Sequence, residues 1–235
     1  MRILLLLMLI IGLPVFAGNY AVHRPDDLPD MSDDEKILFI LDFSNSMSEY
    51  LQGKRKVDLM IDTMRNILPN LNPNISVGLR VYGHKMGFTP MEACRASTLV
   101  TPVAAANGIN IRNSLLDIKP KGMTPITYSL KQAVKNDFIG FTGKKHIILL
   151  TDGGENCDES PCKYVMELVK VRKDIEIDVI AFNIDDEDDL AQLECTSLVT
   201  SGKFYNAKTS AQLVNSLNNS VNSYKQVEAK IITGQ

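Results

Sequence analysis

Two continuous apolar runs, Ile37-Leu38-Phe39-Ile40-Leu41 and His146 to Leu150, both lead straight into acidic turns. The first is followed by Asp42-Phe43-Ser44-Asn45-Ser46 and the second by Thr151-Asp152-Gly153-Gly154. A strand without polar alternation is buried on both faces, as in the centre of a parallel sheet sandwiched between helices. In such a sheet ligands bind beyond the carboxyl ends of the strands, where strand order reverses. If the two runs are neighbouring strands, Asp42 and Asp152 share one crevice.

The rest of the chain alternates helix and strand. Val57, Met60, Ile61, Met64 and Ile67 recur at helical spacing, which predicts a helix over about 55–68 that Pro69 ends. Ile75, Val77, Leu79 and Val81 alternate with Ser76, Gly78, Arg80 and Tyr82, the pattern of a half-buried strand. Thr98 to Val103 reads as a short strand, and Pro102 within it points to a sheet edge. Asn110 is placed to cap a helix carrying Ile111, Leu115 and Ile118, and Pro125 opens another with Ile126, Leu130 and Val134.

Further units follow. Ser160-Pro161 starts a helix with Val165, Leu168 and Val169 inward, and Ile177 to Phe182 is a strand. The acidic run 185–189 opens the next helix, which carries Leu190 and Leu193, and Phe204-Tyr205 is a short strand. Thr209 and Gln212 have capping-box spacing before Leu213, Leu217 and Val221. The fold class is therefore α/β: a doubly wound, mostly parallel, Rossmann-like sheet with helices on both faces and one antiparallel edge strand.

The chain has 235 residues, 45% of them hydrophobic, enough for one domain with short extensions. A net charge of -3, from 25 basic and 28 acidic residues, gives no electrostatic reason to expect a nucleic acid or an anionic membrane as partner. Met1-Arg2, an apolar run from Ile3 to Phe16 and Val15-Phe16-Ala17 have the form of a signal peptide, residues 1–17, cleaved after Ala17. The run is shorter than the roughly 20 residues of a membrane span, and an uncleaved anchor is the alternative. Residues 18–34 form an acidic linker, 35–223 the domain and 224–235 a tail without assigned structure. The protein is expected to be exported, to the periplasm or beyond, with no membrane span after cleavage.

Cys94, Cys157, Cys162 and Cys195 make an even set, and an oxidising compartment favours disulfides. A zinc site would need ligands spread widely along the chain and has little support. Topology places Cys94 and Cys157 in loops at one end of the sheet, and Cys162 and Cys195 on adjacent helices. Cys94-Cys157 with Cys162-Cys195 is therefore preferred over a local Cys157-Cys162 pair.

Asp42, Ser44 and Ser46 set hard oxygens at alternate positions around a strand end. Thr124, in the loop Lys121-Gly122-Met123-Thr124-Pro125, and Asp152 reach the same edge by topology. Such donors suit Mg²⁺, Mn²⁺ or Ca²⁺. A purely structural reading has the two aspartates capping adjoining turns, with the serines bonded locally.

Asp42-x-Ser44-x-Ser46, Gly122-x-Thr124-Pro125 and Thr151-Asp152-Gly153 together resemble the metal-ion-dependent adhesion site (MIDAS) of von Willebrand factor type A (VWA) domains. The resemblance covers roughly residues 35–222 and matches at all five metal-site positions. Gly78-Leu79-Arg80-Val81-Tyr82-Gly83-His84 and Asp152 to Cys162 are similar to an exported bacterial subgroup. The resemblance implies that Ser44, Ser46 and Thr124 offer hydroxyls to Mg²⁺, with Asp42 and Asp152 binding directly or through water. It also implies that the open position takes a Glu or Asp carboxylate from a protein partner.

The expected function is an adhesion-type binding module, with an assembly or regulatory subunit of an envelope complex as the alternative. No enzymatic activity is expected. A phosphotransferase using an Asp-x-Asp pair would need an aspartate where Ser44 stands, and no phosphate loop, dinucleotide fingerprint, zinc-protease helix or G-x-S-x-G elbow is present. His84 reads as a histidine in a surface turn.

Overall fold

A computed structural model describes residues 36–233. The expected signal peptide and linker lie outside the described residues. The apolar run forms β1 (Lys36–Asp42), buried at every position. A 3-10 turn and a small hairpin, β2 (Tyr50–Leu51) with β3 (Lys54–Arg55), lead into α1 (Lys56–Ile67). Then come β4 (Ser76–Tyr82), the short α2 (Pro90–Ala93), β5 (Ser97–Ala105), α3 (Gly108–Ser114) and α4 (Ile126–Gln132). The second half holds β6 (Lys145–Thr151), α5 (Pro161–Val171), β7 (Ile175–Phe182), α6 (Glu187–Val199), β8 (Phe204–Ala207) and α7 (Ser210–Thr233).

The main sheet runs β5-β4-β1-β6-β7-β8. All neighbours are parallel except β5, which lies antiparallel to β4 at the edge, as Pro102 suggested. After β1 the chain moves to one side, through β4 and β5, and returns to build β6, β7 and β8 on the other. The reversal falls between β1, which ends in Asp42, and β6, which leads into Asp152. Their side chains divide two cores. Phe39 and Leu41 face Met60 and Met64 of α1 and Leu213 and Leu217 of α7, while Leu38 and Ile40 face Ile126, Leu130, Val165 and Leu193.

Two local expectations are corrected. The alternation in β4 predicted a half-buried strand, yet every residue of it is buried. The strand lies second from the edge under helices, and its one charged member is paired inside. The Arg80 guanidinium donates to both carboxylate oxygens of Asp137 at 2.6 and 2.7 Å and to the Ser97 hydroxyl at 2.9 Å. The other correction concerns α3, which begins at Gly108 rather than at Asn110. Asn107 stands before it and donates through Nδ2 to the carbonyls of Val77 and Pro102, tying the helix start to the sheet.

The last helix continues through the segment left without assignment, as far as Thr233. Disulfides join Cys94 to Cys157 and Cys162 to Cys195, the preferred pairing. Among the described residues no helix is long and apolar enough to cross a membrane.

Candidate metal centre

Asp42 is the last residue of β1 and is fully buried. Its Oδ1 accepts the Ser44 N–H at 2.6 Å, and its Oδ2 accepts the Thr151 hydroxyl at 2.8 Å. Ser46, half-buried on the following turn, donates its hydroxyl to Oδ1 of Asp152 at 2.6 Å. That leaves the Ser44 hydroxyl to donate to Ser46 Oγ, 3.0 Å away. Four of the five residues singled out from the sequence are thus linked in one hydrogen-bonded cluster at the crevice between β1 and β6.

Thr124, also buried, arrives on a loop that the backbone stitches to the first turn. Gly122 forms a parallel bridge with Ser44, and its carbonyl accepts the Asn45 N–H at 3.0 Å. From the other side the Asn156 Oδ1 accepts the Thr124 N–H at 2.7 Å. Gly83 closes the bundle, its carbonyl accepting the N–H groups of Lys121 and Gly122 at 3.0 and 2.7 Å. Gly83 has φ of +70°, and a Cβ there would lie 2.5 Å from the Ser44 nitrogen, so only glycine lets this loop approach the turn.

The electrostatics are unfavourable for two bare carboxylates. Burial, then the neighbouring Asp152 charge, pushes Asp42 up from 3.8 to about 6. Burial also raises Asp152, opposed by the Ser46 hydroxyl and the ammonium of Lys56. Lys56, the first residue of α1, is itself buried and donates to Asp152 Oδ2 at 3.0 Å and to Glu49 Oε2 at 2.8 Å. Burial works against its charge, but the two carboxylates outweigh that and hold its pKa above the ordinary value. The donor set is hydroxyl and carboxylate oxygen throughout, which fits a hard divalent cation, and a divalent charge would relieve the repulsion between the two acids.

Several of these residues escaped the sequence reading. Lys56 had a signal: a cation at a helix N-terminus opposes the helix dipole and calls for a nearby anion. Thr151 stood in the quoted motif without a role, Asn156 had no distinguishing signal, and Asp189 was read only as part of the helix-opening acidic run. Asp189 belongs to the acidic run that opens α6 as expected, and its Oδ2 also accepts the Gly154 N–H at 3.0 Å, bracing the loop after Asp152. His84 is half-buried rather than a plain surface residue, its Nε2 3.1 Å from the Thr98 hydroxyl. Burial, then the adjacent Lys85, pulls it down from 6.5 to about 4.

A second group of potential ligands lies at the opposite end of the sheet. His146 and Glu176 are register partners, Asp178 is two residues further along, and one ligand atom from each falls within 4.8 Å of the others. Asp178 is tied internally, to His146 Nε2 at 3.3 Å, to the Ser220 hydroxyl at 2.6 Å and to the Lys203 N–H at 2.7 Å. The Ser220 bond pins α7 to β7.

A doubly wound α/β domain with oxygen donors gathered at its switch point defines the class of protein. The chain belongs to the von Willebrand factor type A domain family, whose model matches residues 36–219. Among known proteins it is similar to YwmD of Bacillus subtilis (strain 168), which is uncharacterized. The two are 28% identical over 171 residues, 70% of this chain and 75% of the relative.

Among solved structures it is similar to proximal thread matrix protein 1 from the mussel byssus, described with a zinc-occupied MIDAS motif. The TM-score there is 0.62 at 19% identity, over 83% of this chain and 46% of the other. It is also similar to the pilus adhesin SpaC from Lactobacillus rhamnosus GG, with a TM-score of 0.60 at 15% identity over 81% of this chain and 30% of the other. At these identities the likeness shows the fold, and the chain spans less than half the length of either solved protein.

Proposed function

We propose that this protein is an exported, non-catalytic binding module that captures a Glu or Asp side chain of a protein partner through a divalent cation at a MIDAS. The observation that carries the reading is the single cluster of Asp42, Ser44, Ser46 and Asp152 at the β1–β6 crevice, with the Thr124 loop bonded to it. Ser44, Ser46 and Thr124 would hold the cation through hydroxyl oxygens, and Asp42 and Asp152 directly or through water. When bound, the cation supplies a Lewis-acidic position to which an outside carboxylate can bind. Mg²⁺ suits a compact oxygen set that keeps waters, and Mn²⁺ can replace it.

Export is supported by the two disulfides, which persist in oxidising compartments. A binder rather than a catalyst is favoured by how the serines are engaged. The Ser46 proton goes to a carboxylate and the Ser44 hydroxyl to Ser46, while His84 and His146 are engaged elsewhere, with Thr98 and Asp178. The byssus and pilus neighbours support an adhesive role, and binding to an external target is the reading preferred over an envelope subunit.

The test is a titration with MgCl₂ or MnCl₂, followed by calorimetry and thermal melting, on the wild type and on Asp42→Ala. At free cation about 100-fold above Kd the wild type should gain about 2.7 kcal/mol of stability. Asp42→Ala should gain none. A wild type that ignores both cations sinks the reading. EDTA-sensitive capture of a partner from envelope extract would favour the envelope-subunit alternative over an external target.

Asn156 should act on the same equilibrium without touching the cation. Its amide oxygen holds the Thr124 N–H, so Asn156→Ala frees the loop that presents Thr124. Loss of such orienting bonds costs metal affinity, here about tenfold. A calorimetric Kd for Mg²⁺ equal to that of the wild type would show that the Gly122 bonds alone position the loop.

A further inference from the structure

Lys56 is an unusual neighbour for a cation site. Its side chain is 5% exposed, and burying an ammonium is costly unless it is tightly paired. Its partners are unequal. The Asp152 side chain is 0% exposed, whereas the Glu49 side chain is 66% exposed and held at the surface. The two oxygens of Asp152 are divided between opposite roles, Oδ1 accepting from Ser46 and Oδ2 from Lys56. The ammonium therefore stands on the far side of that carboxylate from the serines. A cation received by Ser44 and Ser46 would not have to displace it.

Asp42 and Asp152 carry two negative charges, which a divalent cation would cancel. A neutral centre has little reason to prefer an anion over water. With Lys56 fixed behind Asp152, the buried part of the loaded centre keeps one positive charge, balanced only by the solvent-exposed Glu49 carboxylate. Asp42 instead accepts from uncharged donors, the Ser44 and Asp152 N–H groups and the Thr151 hydroxyl.

We propose that Lys56 is a specificity-determining residue: it lowers the affinity of the site for the metal and makes the loaded site take up a carboxylate. Glu49 is the chain's own counter-charge to Lys56, an exposed surface carboxylate whose pull a partner's carboxylate must overcome. The inference rests on the metal reading given above and adds the charge state that selects the partner.

The experiment measures the Mg²⁺ affinity of the wild type, Lys56→Met, Lys56→Arg and Glu49→Gln by calorimetry, each in chloride and in acetate as the carboxylate probe. Acetate should tighten Mg²⁺ binding by the wild type. Lys56→Met should bind Mg²⁺ about tenfold more tightly in chloride, the size expected for removing a unit charge a few ångströms from a divalent one in a well-screened site. It should lose the acetate effect. Lys56→Arg keeps the charge and should keep both wild-type properties.

Glu49→Gln alters only an exposed side chain and checks the idea even if Lys56→Met folds poorly. It should bind Mg²⁺ more weakly and show a larger acetate effect. Unchanged Mg²⁺ affinity and acetate response in folded Lys56→Met, or in Glu49→Gln, overturns the role of Lys56 and leaves the metal site standing. A wild type that binds no cation overturns both.

Discussion

Arg80→Ala should destabilise the protein by about 3–5 kcal/mol, because it strands a buried carboxylate without its cation. The Arg80 and Asp137 side chains are 5% and 2% exposed, and the guanidinium meets the carboxylate with two bonds at 2.6 and 2.7 Å. Removing the arginine leaves Asp137 with a charge it cannot solvate and β4 with a hole beside Ser97. The double variant Arg80→Met with Asp137→Leu removes both charges and should recover most of the loss, since apolar replacements of buried pairs are often neutral or better. Urea unfolding of the three proteins measures this directly. A loss under about 1 kcal/mol for Arg80→Ala would mean that water reaches the pair and screens it as at a surface.

The second large effect is a dependence on pH that changes direction with Mg²⁺. In the metal-free protein Asp42 titrates near 6, above its unfolded value of 3.8, because burial and then Asp152 disfavour its charged form. The folded state therefore binds its proton more tightly than the unfolded chain. The sign follows from linkage: stability from this group falls as pH rises from about 4 to about 6 and is level above that. Cation binding needs the carboxylate ionised, so Mg²⁺ affinity should fall as pH drops below about 6, by up to about tenfold per pH unit. Melting curves from about pH 4 to pH 8, in EDTA and in Mg²⁺, should diverge as pH rises, and Asp42→Asn should remove the divergence. Parallel curves in the wild type would refute the assignment.

The central strands were legible because four or five consecutive apolar residues leave no alternation to confuse their period. The run Ile37 to Leu41 could only be a strand covered on both sides, and the edge position of β5 followed from Pro102. The meeting of Asp42 and Asp152 was legible because both stand at strand ends. Knowing that β1 and β6 sit at the centre is enough to bring Asp42 and Asp152 together.

What was not legible depends on side chains far apart in sequence. The alternation of β4 pointed to a wet face, and only the presence of Asp137 beyond α4 explains why Arg80 is inside. Asn110 looked like a cap because asparagine favours helix starts, but Asn107 stands at that position and its amide is bonded to the sheet. Lys56 and Asn156 escaped for the same reason: their partners, Asp152 and Thr124, are distant in the chain. The helix dipole argument at Lys56 shows that one such contact was detectable as a local contradiction.

The bond from Thr151 to Asp42 spans 109 residues. A nascent chain that has emerged only as far as Thr124 already carries the serine turn and the loop that faces it, but lacks the strand that brings the second acid. Until β6 docks beside β1 the centre lacks its second carboxylate, so a divalent cation would be held too weakly to act as a template for the growing polypeptide. Occupancy would instead report that the sheet has closed. A partner that recognises the loaded centre would therefore engage finished molecules and pass over incomplete ones.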